Sequence, residues 1–121
     1  MGILIACLTT GKGTWKEVSN IINAENWKKI YLITNEFGKE KFTHEKELNY
    51  ALINLNDTTN IMRDKIIAEL KDLKEEVGFN DVALNFSSGS GKEHMALLSA
   101  IMKLGTGIRI VDQKNKEIIN L

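Results

Sequence analysis

The chain has 121 residues, with 16 basic and 16 acidic side chains, no net charge and 43% hydrophobic residues. That is one domain, expected to span residues 1–121, with enough apolar material for a true core. The balanced charge excludes a generally basic surface, so no duplex nucleic acid partner is expected. The single Cys7 cannot close an internal disulfide, and no Cys/His cluster offers a metal site. The start, MGILIACLTTGKG, has no basic segment, and its apolar run is too short for a signal peptide or a membrane span. Met1-Gly2 opens a myristoylation pattern that Ala6 breaks. No membrane association and a cytoplasmic location are the expectation.

In chain order, Ile3-Leu8 is apolar at every position, as a strand covered on both faces should be. Thr14-Trp15-Lys16-Glu17 reads as a capping box that opens a helix to about Asn23. Ile30-Ile33 is a second strand and Tyr50-Leu55 a third, with a short helix expected between them around Glu40-Glu47. Asp57 or Thr58 caps a long helix ending near Val77, whose stripe Met62, Ile66, Leu70, Leu73, Val77 marks one buried face, and Gly78 stops it. Val82-Phe86 is a fourth strand. Ser90-Gly91-Lys92-Glu93 is a second capping box, opening a helix to Leu104 before Gly105. Ile108-Val111 is a fifth strand, and Ile118-Leu121 pairs at an edge behind the turn Lys114-Asn115-Lys116. Buried strands alternating with helices specify an α/β fold: Rossmann-like, with a mainly parallel sheet of five or six strands and helices on both faces.

Ligands of such sheets bind at the carboxyl ends of the strands. That rule selects three loops: Thr9-Thr14, Thr34-Gly38 and Ser87-Gly91. In the first, Thr9, Thr10, Gly11, Lys12 and Gly13 combine hydroxyls, a cation and a flexible backbone ahead of a helix, a pattern suited to phosphate. The plain alternative is that Thr14 caps and the glycines only turn the chain. The second pattern is stronger. Ser87, Ser88, Gly89, Ser90, Gly91 and Lys92 follow a buried strand and aim hydroxyls, N–H groups and one cation at a ligand. Neither loop is a P-loop, and no G-x-G-x-x-G follows the first strand, so no nicotinamide or other cofactor is expected. Trp15 can stack on a base or simply pack; Trp27 and Cys7 read as core; His94 reads as a surface or half-buried residue. The last helix is apolar around most of its circumference, which predicts cover on two sides, the second by another subunit.

The sequence Leu84-Asn85-Phe86-Ser87-Ser88-Gly89-Ser90, followed by Lys92 and Met95, resembles the turn of the CRISPR-associated Rossmann-fold (CARF) domains. Ile30-Tyr31-Leu32-Ile33-Thr34-Asn35 is similar to the second strand and loop of that family. Gly91 is an added glycine, Glu36-Leu48 is shorter than usual, and the 121 residues hold no Arg-x4-6-His motif of the ribonuclease domains that members often carry. The resemblance implies binding of a cyclic oligoadenylate, tetra- or hexa-adenylate, across a homodimer axis in type III CRISPR signalling. It implies Thr9, Thr10 and Gly11 near the ring, Ser87, Ser88, Gly89, Ser90 and Lys92 on phosphates and riboses, and Asn35 and Glu36 at an adenine edge. A lone domain of this kind could cleave the ring without a metal, with Lys92 stabilising charge and Thr10 orienting the attacking ribose. It could also sense the ligand for a partner in trans. The alternative from another class is an α/β module binding a mononucleotide or phosphosugar.

Overall fold

A computed structural model describes residues 2–8 and 11–121. Six strands form one sheet in the order β3-β2-β1-β4-β5-β6. They are β1 (Ile3–Cys7), β2 (Lys29–Thr34), β3 (Asn49–Leu52), β4 (Asp81–Asn85), β5 (Gly107–Lys114) and β6 (Glu117–Asn120). The first five pair in parallel and β6 is antiparallel to β5 at the edge. The helices are α1 (Trp15–Ala24), α2 (Glu36–Lys41), α3 (Thr59–Glu69), α4 (Leu73–Val77) and α5 (Gly91–Leu104), with a short 3-10 turn at Lys12–Thr14.

Alternation along the strands builds two cores. Ile3, Ile5 and Cys7 of β1 join Tyr31, Ile33, Val82 and Leu84 beneath α3, α4 and α5. Leu4, Ala6 and Leu8 join Ile30, Leu32 and Ala83 beneath α1, where Val18, Ile21, Ile22 and Trp27 pack. All five residues of β1 are buried, which is why no polar position interrupts it. The expected α/β sheet with helices on both faces is therefore observed, with β6 pairing at the edge. The β5–β6 turn carries positive φ at Asn115 and Lys116 (53° and 63°), the twist that a two-residue hairpin loop requires.

Several local expectations are corrected. Thr14 does not cap α1 with its side chain; its φ and ψ of −103° and 1° lie outside the extended cap geometry because the 3-10 turn runs directly into the helix. The helix between the second and third strands is Glu36–Lys41, not Glu40-Glu47. Asn35 starts it by accepting a hydrogen bond from the Gly38 N–H at 3.0 Å. The third strand stops at Leu52, and the fourth spans Asp81–Asn85 rather than reaching Phe86. The long helix is two, broken after Leu70, where the Leu73 N–H donates to the Leu70 carbonyl at 2.9 Å. The stripe survives the break: Met62, Ile66, Leu70, Leu73 and Val77 are all buried, so its spacing could not distinguish one helix from two.

Candidate functional site

The chain reverses direction across the sheet between β1 and β4, because β2 and β3 lie to one side of β1 and β4 to β6 to the other. Diverging connections leave a crevice above such a junction. The loop after β4 and the start of α1 meet there. The Thr14 hydroxyl donates to Ser88 Oγ at 2.7 Å. Ser88 is 1% exposed, and its carbonyl accepts from His94 Nε2 at 2.8 Å. The His94 ring lies against Phe86, with centroids 4.9 Å apart. His94 is half-buried, as the sequence reading had it, but it is also a brace of this loop.

Asn85 holds the loop from below. It is 1% exposed, and its amide donates to the Val111 carbonyl at 2.9 Å and to Ser87 Oγ at 3.0 Å, while its Oδ1 accepts from the Ser87 N–H. A polar residue ending a buried strand is thus satisfied on every side. Gly89 sits above Cys7 with φ of 93°, and a Cβ there would lie 3.1 Å from Cys7 Cβ. It is glycine for both reasons. Gly91 and Gly13 differ: a Cβ at either would meet nothing within 4 Å. Cys7 is fully buried, and burial, with the nearby Glu93 charge second, pushes its thiol far up, so it carries no thiolate chemistry.

Ser90 and Glu93 form the expected capping box of α5. Lys92 reaches across to the loop after β3 and donates to the Leu55 carbonyl at 3.2 Å. Leu55 lines a cleft of about 610 Å³ at the carboxyl ends of β2 and β3, together with Asn35, Glu36, Phe37, Asn54, Asn56 and Lys65. Lys65 is paired there with Asp57 at 2.7 Å. Thr34, 2% exposed, donates to the Leu8 carbonyl at 2.9 Å and so ties the end of β2 to the end of β1. A Cβ at Gly38 would collide with the Thr34 hydroxyl, which places α2 tightly over that end.

The sequence-derived residues thus fall into three groups. Ser87, Gly89, Ser90 and Gly91 are half-buried or exposed around the crevice, with Ser88 buried behind them, whereas Lys92 turns toward the cleft by β3. Gly11, Lys12 and Gly13 are exposed on the α1 side, where Lys12 Nζ lies 5.8 Å from the Trp15 ring centre. Asn35 and Glu36 line the cleft by β3. Thr9 and Thr10 lie outside the described residues. Trp15 packs against Phe42 and Phe37, with centroids 5.6 and 6.2 Å away. Sequence reasoning missed Asn54, Leu55 and Asn56, and Phe37 fell within the selected Thr34-Gly38 loop without being singled out. The only signal was Asn54, which interrupts an apolar run where the strand has already ended. Among the described residues no group of three His, Cys, Asp or Glu side chains is placed to hold a metal ion, and no helix is long and apolar enough to cross a membrane.

On α5, Leu97 and Ile101 are fully buried within the subunit. The outward face carries Met95 and Met102, 60% and 67% exposed, with Leu98, Ser99 and Lys103 around a shallow concavity. Apolar residues all round this helix thus divide into a core face and an uncovered one.

No protein-family model matches the chain, and no curated protein matches it. Solved structures do. Enterococcus italicus Csm6 bound to cyclic hexa-2′-fluoro-hexa-dAMP is similar at 14% identity, over 98% of this chain and 35% of that one, with a TM-score of 0.64. Protein VC1899 from Vibrio cholerae is similar at 12% identity, over 99% of this chain and 33% of that one, with a TM-score of 0.65. The chain therefore spans about a third of the length of these neighbours, and shares their fold there.

Proposed function

We propose that this domain binds a cyclic oligoadenylate across the axis of a homodimer, as the CARF resemblance implies. The observation that carries the reading is the Thr14–Ser88 contact, which brings the loops after β1 and β4 together above the switch point, with Lys92 reaching from there toward the cleft by β3. Support comes from a neighbour of the same fold solved with a cyclic hexanucleotide. In this reading Ser87, Lys92 and the N–H groups of the Gly89 turn receive phosphates and riboses, while Ser90, whose N–H and hydroxyl are engaged by Glu93, closes the cap of α5. Gly11, Lys12 and Gly13 meet the ring from the α1 side, and the resemblance assigns the Thr9 and Thr10 hydroxyls to it as well. Asn35 and Glu36 meet an adenine edge in the cleft by β3. Ser88 serves as a brace, its hydroxyl already engaged by Thr14. The uncovered face of α5 supplies the second subunit's contact, and a near two-fold symmetric ring suits an isologous dimer.

Cleavage is the finer part of the proposal. A ribose 2′-oxygen attacks the adjacent phosphorus and the P–O5′ bond breaks. The 2′-hydroxyl proton leaves to solvent, the 5′-oxygen takes one up, and a 2′,3′-cyclic phosphate and a 5′-hydroxyl result. The protein supplies in-line positioning, with Thr10 on the attacking ribose, and charge stabilisation by Lys92. Incubation with labelled cyclic tetra- and hexa-adenylate in excess EDTA, followed by mass spectrometry, tests both parts. Linear products with cyclic phosphate ends support a ring nuclease. Retention of intact ring leaves a sensor acting on a partner in trans. Binding of a mononucleotide in preference to either ring moves the site to the mononucleotide or phosphosugar class.

A further inference from the structure

The N-terminus of α5 already holds an anion. Glu93, one turn into the helix, is only 7% exposed. Its Oε2 accepts from the Ser90 N–H at 3.2 Å and also from the Ser90 hydroxyl. The carboxylate therefore sits in the first turn of α5, held by the N-cap residue, where the helix dipole favours negative charge. Its field extends to the floor of the crevice, where it adds to burial in raising the Cys7 thiol beneath Gly89. A ligand phosphate placed at the same helix end would meet a buried like charge and find the Ser90 donors taken.

We propose that Glu93 is a resident competitor of the ligand's phosphates: it weakens anion binding at the helix end and directs the phosphates onto Lys92 and the Ser87–Gly89 turn. This rests on the functional reading above and adds to it a residue that sets affinity. Two features make the arrangement physically coherent. The helix stays capped without ligand, so the loop is ordered before binding. The cation of the loop points elsewhere, with Lys92 Nζ 3.2 Å from the Leu55 carbonyl toward the cleft by β3, where a displaced phosphate would find it.

The test is Glu93→Gln, which keeps an acceptor for the Ser90 N–H and removes only the charge. Cyclic tetra- and hexa-adenylate are titrated into wild type and variant by calorimetry at low and high salt, with folding checked by circular dichroism and melting. The variant should bind the preferred ring roughly three- to tenfold more tightly at low salt, and the gap should narrow at high salt. Equal or weaker binding by folded Glu93→Gln overturns the proposal, since removing a charge that competes with the phosphates must give a gain. Should Glu93→Gln melt below the assay temperature, the titration is repeated at lower temperature in glycerol, and the folded fraction must again bind more tightly. Failure of wild type to bind either ring overturns the functional reading itself, independently of the variant.

Discussion

The Thr14 hydroxyl lies 2.7 Å from Ser88 Oγ, across 74 residues of sequence, and fastens the start of α1 to the loop after β4. One partly buried hydrogen bond thus joins the two loops of the candidate site. Thr14→Val keeps the shape of the side chain and removes the donor. It should cost about 1–2 kcal/mol in urea denaturation, since Ser88 is left buried with a partner missing. Ligand affinity should fall with it. A variant as stable as wild type would show that the two loops are fixed by other contacts.

Gly89 and Gly91 are two residues apart and make opposite predictions. Gly89→Ala must adopt φ near 93° and place a methyl 3.1 Å from Cys7 Cβ, so it should destabilise by more than about 1 kcal/mol and abolish ligand binding. Gly91→Ala opens a helix, meets nothing within 4 Å, and should be neutral or slightly stabilising. Thermal melts of the two variants check the pair. A ranking in the other order would contradict the loop conformation.

Leu97 and Met102 separate core from interface. Leu97 is fully buried, so Leu97→Glu should prevent folding, because a carboxylate would enter the core without a partner. Met102 is 67% exposed, so Met102→Glu should stay folded and, if α5 carries the dimer contact, sediment as a monomer. Analytical ultracentrifugation decides. A Met102→Glu protein with unchanged association would place any dimer interface elsewhere.

At the opposite end of the sheet, Glu76 accepts from Lys29 Nζ at 2.5 Å and from the Tyr31 hydroxyl at 2.6 Å. Burial pulls the Glu76 carboxyl up, but these two hydrogen bonds outweigh it and its titration is lowered. Lys29 is raised chiefly by its hydrogen bond to Glu76, and Tyr31 by burial and then by Glu76. A depressed carboxyl contributes stability above its unfolded value and loses it as pH falls through the folded one. A raised lysine or tyrosine contributes below its unfolded value and loses it as pH rises through the folded one. The stability difference between wild type and Lys29→Met should thus be greatest near neutral pH and shrink in acid below about pH 4 and in alkali beyond about pH 10. The pair is partly exposed, 35% and 25%, so solvent screening holds the difference to about 0.5–1 kcal/mol. A difference that does not change with pH would mean that Lys29 acts through packing alone.

The parts of the molecule readable in advance were those whose cause is local. β1 could be recognised because cover on both faces leaves no polar position in it. The Ser90–Glu93 cap could be recognised because its partners lie three residues apart. Thr14 showed the limit: the same local pattern was present, but its hydroxyl goes to Ser88, a partner visible only once the fold joins them. Lys92 was identifiable as a cation in a loop, whereas its acceptor, a Leu55 backbone carbonyl, has no side-chain signature. The α5 sequence announced too much apolar surface for one sheet. It could not say that Leu97 turns inward and Met102 outward, because both are apolar and the direction is set by packing on the sheet.

The central claim is tested most directly by calorimetric titration of cyclic tetra- and hexa-adenylate into wild type and Lys92→Ala. The account predicts one ring bound per two chains. It also predicts a loss of about 1.5–3 kcal/mol in Lys92→Ala, with a flatter salt dependence, as expected for a lost hydrogen bond to a charged group. One ring per chain, no binding of either ring, or an unchanged affinity in Lys92→Ala would contradict it.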